Sequence, residues 1–362
     1  MTNEQPPAPA IRAVATAVPP NRVDQATIAG ALRDWWGEEN FESRKWKLVF
    51  DQVNRSLRIK GRNLALAPGE YPKVLESFTT ANAAWARIAP ELAAEAVSRA
   101  LARAALGPRD VNHLFLVTGT GIATPSIDAR IINCLGINRE AKRTPIFGLG
   151  CAGGVAGVAR ASDYLRAFPG QIALVVSVEL CSLTLQRDDL TIANIIASSL
   201  FGDGAAAVVM GGSGGRDAGP AVISTSSVLF PETERMMGWD VVATGLKVVL
   251  SAAIPALIRE QLANPVDQLL DAHGLQRSSI KHWIVHTGGN RVLDAVRDAL
   301  QLDSNALARS WRILEETGNL SSASVLFVLN DLLESGDARP GDYGMMVAVG
   351  PGFCAELALL RW

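Results

Sequence analysis

Cysteine is scarce in this sequence and never clustered. Cys134, Cys151, Cys181 and Cys354 stand far apart with no C-x-x-C spacing, which argues against a disulfide framework and against a zinc or other metal site. A basic excess is missing too. The 34 Lys and Arg against 36 Asp and Glu leave a net charge of −2, so nothing electrostatic points to nucleic acid as a partner. Asp, Arg, Gly or Pro breaks every apolar run before it reaches a membrane span. The proline-rich start, Met1 to Ala10, lacks the basic-then-apolar order of a signal peptide, so a cytoplasmic location is expected. Gly202-Asp203-Gly204 fits neither the G-x-G-x-x-G nor the P-loop lysine pattern, which argues against nucleotide binding.

What the chain does have is core-forming material. Of its 362 residues, 48% are hydrophobic and only 19% charged, enough for two packed halves or one large α/β unit. Strand-like runs at Leu114–Thr118, Ile172–Val178, His282–His286 and Met345–Val349 alternate with longer helical patterns, the mark of parallel β-α units. Helices are expected over Pro90–Ala105, Val155–Ala167 and Pro255–Leu262, the first and last opening on a proline. Leu320–Glu334 reads as a core helix covered on most sides. The one composition break is the flexible stretch Gly211–Pro220, which divides the chain into halves at 1–212 and 220–362.

Each half places a reactive residue type beside glycine turns. Gly148-Leu149-Gly150-Cys151-Ala152-Gly153-Gly154 sets a thiol at a helix start, where unpaired N–H groups favour thiolate. Taken alone, such a thiol reads equally well as a small buried hydrophobe. His286, at the end of an apolar strand and before Gly288 and Gly289, is the best placed of only four histidines. His113 and His273 read as solvated. Asn319, between Gly318 and an apolar helix, reads either as an N-cap or as a donor to a developing oxyanion.

Five motifs in order carry a family resemblance: the Cys151 turn, Leu200-Phe201-Gly202-Asp203-Gly204, His286-Thr287-Gly288-Gly289, Gly318-Asn319-Leu320-Ser321-Ser322 and Val349-Gly350-Pro351-Gly352. Together they resemble the chalcone-synthase-like, or type III, polyketide synthases. That resemblance implies an α/β, five-layered αβαβα thiolase fold of two similar halves, and a homodimer. It further implies that Cys151 carries the acyl group as a thioester. His286 and Asn319 would stabilise the enolate left when malonyl-CoA loses CO₂, at about 3–4 kcal/mol per fixed donor. Phe201 matches the aromatic gatekeeper; without the resemblance it reads as a core aromatic. The substrates implied are CoA thioesters, acyl-CoA and malonyl-CoA, with no further cofactor.

The same resemblance assigns Thr120, Thr124, Cys181, Thr184, Trp239, Val248, Gly350, Pro351 and Gly352 to the substrate pocket, with Thr124 reaching the neighbouring subunit. Val248 replaces a second gatekeeper phenylalanine and widens one passage, while Trp239 fills a site that is glycine in plant enzymes. Glu179 reads as a structural, hydrogen-bonded acid. CoA is expected at Arg55, Arg58, Arg62, Gly288 and Gly289; the basic run also reads as a solvated face. A fatty acyl-CoA starter and an alkylpyrone- or alkylresorcinol-type product are expected. The alternatives are an aromatic synthase using malonyl-CoA alone, a ketoacyl-ACP synthase III-like enzyme, a cysteine hydrolase or a non-catalytic binding subunit.

Overall fold

The computed structural model describes residues 8–37, 44–212 and 219–362; the glycine-rich joint at 213–218 lies outside them. The strands of its first half are β1 (Ala10–Ala17), β2 (Asn21–Asp24), β3 (Gly61–Leu64), β4 (His113–Val117), β5 (Lys142–Ile146), β6 (Ile172–Leu180) and β7 (Asp203–Gly211). Those of the second are β8 (Ala221–Leu229), β9 (Met237–Val242), β10 (Gly245–Leu250), β11 (Ile280–Val285), β12 (Tyr343–Gly350) and β13 (Cys354–Arg361).

Nine strands form one hydrogen-bonded series in the order β11-β12-β13-β8-β1-β7-β6-β4-β5. β8 meets β1 only through the pair Ala10–Ala221, so the series is two sheets touching at one point. Each sheet repeats the same pairing. A parallel pair, β4/β6 or β11/β12, is followed by two antiparallel neighbours, β7 then β1 or β13 then β8. β5 extends the first sheet by one strand.

Period-two alternation along the strands separates the layers. Ile172, Leu174, Val176 and Val178 of β6 enter one core, with Trp85 and Val97 of the helix Phe78–Arg103. Their neighbours Ala173 and Val175 enter a second core with Val155 and Val158 of the helix Gly153–Ala167 and Val325 to Leu329 of the helix Ser324–Ser335. β12 sends Met346 and Ala348 into that central core, and Met345, Val347 and Val349 into a third against Ile258 and Leu293. Both sheets are buried on two faces, as near-continuous apolar strands require. The result is helix, sheet, helix, sheet, helix: the five layers expected. Close approach of the two central helices needs glycine, since a Cβ on Gly154 would sit 2.2 Å from the Ser322 carbonyl oxygen.

Two element boundaries differ from expectation. Pro90 does not open a helix but lies inside the one running Phe78–Arg103, which Ser77 caps by accepting from the Thr80 amide at 3.1 Å. An interior proline costs about 3 kcal/mol, and the long run of buried residues along this helix, Ala81 to Leu101, offsets it. The apolar stretch after Leu320 begins with a 3₁₀ turn, Ser321–Ala323, and its α-helix is Ser324–Ser335.

Candidate active site

The thiol lies slightly ahead of where the sequence places it. Cys151 belongs to a 3₁₀ turn, Gly150–Ala152, just before the helix that begins at Gly153. Gly148 and Gly150 take φ of 91° and 43° there, conformations that glycine alone adopts freely. The Gly350-Pro351 turn packs directly on this segment: a Cβ on Gly350 would lie 2.6 Å from the Leu149 oxygen, and one on Gly150 would lie 2.8 Å from the Pro351 ring. Cys151 is buried, and burial pushes its thiol up to about 12, against the opposing pull of hydrogen bonds from Ser321 and Asn319. Its Sγ stands 3.9 Å from the Ser321 hydroxyl.

His286 follows β11, anchored by its amide donating to the Val347 oxygen at 2.9 Å. The ring is 2% exposed and neither nitrogen has a hydrogen-bond partner. Burial lowers its pKa to about 3, so alone it stays neutral. Thiol and imidazole are therefore each penalised as isolated ions.

Asn319 has the contacts that the capping reading expects. Its Oδ1 accepts from the Ser321 amide at 2.8 Å and the Ser324 hydroxyl at 3.3 Å, as a cap would. With the oxygen occupied, the amide NH₂ is the end left for the thiol and substrate side. The Asn319 backbone is locked to the Phe201 segment: its amide donates to Leu200 at 2.9 Å, and Gly202 donates to its carbonyl at 2.9 Å. Phe201 and Asn319 thus form a parallel bridge between the two halves of the chain.

Cys151, Phe201, His286 and Asn319 line one cavity of about 610 Å³, part of it open to solvent, together with Gly288, Trp239, Val248 and Pro351. Trp239 and Val248 are direct partners across the β9–β10 hairpin, so one large and one small side chain share the same rung. Both, with Phe201, also line a second chamber that holds Cys181 and Thr184. Gly350 backs the Cys151 turn without lining the cavity, and Gly352 lies aside, against Leu229 and Cys354.

Several predicted residues lie elsewhere. Thr120 is buried and donates to Glu179 Oε2 at 2.9 Å, while Thr124 is exposed on its loop and lines neither chamber. Glu179 is saturated: Gly119 and Thr120 serve one oxygen and Ser322 the other. Gly289, at φ 109°, starts the helix Asn290–Leu300 and faces Leu200. Arg55 and Arg58 are exposed and line neither chamber; Arg58 lies over the Trp311 ring at 5.1 Å, and Lys60 pairs with Glu315 at 3.0 Å. His113, expected in solvent, is buried against Thr144 at 2.7 Å.

Arg62 is the clearest correction. It sits in β3 at 2% exposure, and its guanidinium donates to the carbonyls of Ser198 and Phe201. A solvent-borne CoA phosphate has no access to it. Asp203 balances its charge from a site of its own, accepting from the Ala65 and Ser182 amides at 2.6 and 2.8 Å; burial raises that carboxyl to about 6. Ser321 and this Arg62–Asp203 node escaped sequence reasoning. The only signals were the first of two serines after Leu320 and an arginine set between Gly61 and Asn63 in a short strand.

The fold is that of the thiolase-type condensing enzymes. Residues 3–214 match the N-terminal domain and 221–362 the C-terminal domain of the chalcone and stilbene synthases; the chain belongs to this family, the type III polyketide synthases. A 1,3,6,8-tetrahydroxynaphthalene synthase from Streptomyces peucetius subsp. caesius is 45% identical over 97% of this chain and 93% of its own. A 3,5-dihydroxyphenylacetyl-CoA synthase from Streptomyces toyocaensis is 36% identical over 99% and 91%. Among solved structures, the tetrahydroxynaphthalene synthase of Streptomyces coelicolor A3(2) superposes with a TM-score of 0.90 at 31% identity, covering 98% of this chain and 99% of that one. PKS-I from the brown alga Ectocarpus siliculosus gives 0.92 at 29% identity, covering 99% and 100%. The family displaces the carrier-protein condensing enzyme and the cysteine hydrolase weighed above.

Proposed function

We propose that this enzyme builds an aromatic polyketide from malonyl-CoA alone, of the tetrahydroxynaphthalene or dihydroxyphenylacetyl-CoA type. The observation that carries this reading is the 45% identity, spanning nearly both whole chains, to a tetrahydroxynaphthalene synthase. It replaces the fatty acyl-CoA starter expected from the sequence.

Cys151 attacks the thioester carbonyl of a starter as its proton passes to His286, and the departing CoA sulfur takes that proton back. A second malonyl-CoA loses CO₂ beside Phe201, whose apolar face disfavours the carboxylate. The enolate oxygen that results is held by the Asn319 NH₂ and His286. Its carbon forms a bond to the Cys151-bound carbonyl and the thiolate leaves, giving a chain two carbons longer. The exposed Arg58 and Arg55 serve the CoA phosphates outside the cavity, and Gly288 lets the pantetheine arm pass. The exposed apolar residues Ile122, beside the Thr124 loop, and Phe147, just past edge strand β5, form part of a homodimer face. No helix among the described residues is long and apolar enough to cross a membrane, and CoA thioester substrates support a cytoplasmic location.

The reading is tested by mass spectrometry of products from malonyl-CoA with and without a panel of acyl-CoA starters. Aromatic products from malonyl-CoA alone are expected. A requirement for a fatty acyl-CoA would restore the discarded reading. The proton path has its own check. In His286→Ala, alkylation of Cys151 by iodoacetamide at pH 7 is expected to fall at least about tenfold. The thiol left behind has a raised pKa, so its reactivity then climbs about tenfold per pH unit towards pH 10. A rate unchanged from wild type at pH 7 would remove His286 from this role.

A further inference from the structure

A helix leaves its last four carbonyls without partners in its own ladder, and buried carbonyls left unpaired are costly. In the helix Ile192–Leu200, which delivers Phe201 to the cavity, all four are taken up. The Phe201 amide donates to Ala197 at 2.9 Å and Arg62 to Ser198 at 2.8 Å. Gln25 donates to Ser199 at 2.9 Å and the Asn319 amide to Leu200 at 2.9 Å. Arg62 also donates to the carbonyl of Phe201 itself. One guanidinium nitrogen thus holds two carbonyls that bracket the one Asn319 uses.

The stem of Arg62 packs on the other side of the Phe201–Asn319 bridge. A Cβ on Gly318 would lie 3.0 Å from the Arg62 Cδ and 2.6 Å from the Leu200 oxygen. One on Gly202 would lie 3.6 Å from the Arg62 Cβ and 2.4 Å from the Thr317 oxygen. Asp203, two residues past Phe201, ties the same two segments again by accepting from the Ala65 amide at 2.6 Å. Desolvation lowers the pKa of Arg62 to about 10, so it stays a cation at neutral pH, the charge a helix C-terminus favours. An apolar side chain of the same length would fill the space and leave both carbonyls unpaired.

We propose that Arg62 is a positioning residue for malonyl decarboxylation. It fixes Phe201 and the Asn319 amide in one relative arrangement, through the Ser198 and Phe201 carbonyls on one side and its stem against Gly202 and Gly318 on the other. The inference rests on the condensing function proposed above. It adds to that reading a residue outside the reactive set that governs the rate of one step.

The test uses the full-length enzyme, with CO₂ release from labelled malonyl-CoA as the readout. Arg62→Lys keeps the cation but gives up the planar fork that serves two carbonyls. Its kcat for decarboxylation is expected to fall about 10²-fold, the scale of a small misplacement. KM for malonyl-CoA should stay within about threefold, and Cys151 should be alkylated by iodoacetamide at the wild-type rate. In an Asn319→Ala background the group acted through is already gone, so Arg62→Lys is expected to cost less than about threefold there. A folded lysine variant with kcat within about threefold of wild type, a loss of Cys151 alkylation in step with kcat, or full additivity with Asn319→Ala would each overturn the proposal. Arg62→Ala is the second variant. Millimolar guanidinium, entering through the chamber that Arg62 lines, is expected to raise its rate at least about fivefold; no response in a folded protein would overturn the proposal. Failure of both variants to fold would make Arg62 purely structural and overturn it too. Wild-type enzyme that releases no CO₂ sinks the proposed function and this inference together, whereas normal release that is indifferent to Arg62 sinks the inference alone.

Discussion

Cys151→Ala is expected to lower polyketide formation by roughly 10⁴- to 10⁶-fold, the usual cost of removing a covalent nucleophile, while malonyl-CoA still loses CO₂. The two activities separate because the groups that make them are separate. Carbon–carbon bond formation needs a thioester held on Sγ. Decarboxylation needs only donors aimed at the enolate oxygen, which the proposed function assigns to His286 and to Asn319, whose backbone is fixed by Leu200 and Gly202. Alanine adds no bulk at the 3₁₀ turn, so the interlock of Gly150 with Pro351 and Gly350 with Leu149 is kept. The measurement is CO₂ release from labelled malonyl-CoA alongside product mass. Polyketide made at the wild-type rate would show that another group carries the acyl chain.

Asn319→Ala is expected to slow decarboxylation about 10²- to 10³-fold, or about 2.7–4 kcal/mol, the range for a single fixed oxyanion donor. Part of any loss in that variant is structural, because Oδ1 also supports Ser321 and Ser324. Asn319→Asp separates the two roles. It keeps both accepted hydrogen bonds and sets a negative charge where the enolate forms, so it should decarboxylate no better than the alanine variant while retaining its melting temperature. An aspartate variant with near-wild-type decarboxylation would reduce Asn319 to a cap.

The layered fold was legible because its cause is local. β6 and β12 are apolar on both faces, and only a strand covered by helices on two sides accepts that pattern. That Cys151, His286 and Asn319 line one cavity was foreseeable for a related reason, since each stands within two residues of a glycine that marks a turn. Arg62 was not. Its charge and its place in a basic run point to solvent, and only the folded chain shows Gly202 and Gly318 leaving room for its stem, with 3.0 Å from a Gly318 Cβ to its Cδ. Helix starts failed where tertiary burial overruled local preference, as at Pro90. Thr124, Gly289 and the exposed arginines gained no place beside the reactive groups within one protomer.

The Phe201–Asn319 bridge has one more consequence. Residues from distant parts of the chain share two backbone hydrogen bonds at the heart of the cavity. The donor amide reaches its working position only when the two sheets have come together around the central helices. A molecule that has folded one half, or docked them badly, therefore presents malonyl-CoA with no completed enolate site. On the proposed function, assembly of the two halves and competence for decarboxylation arrive in the same step.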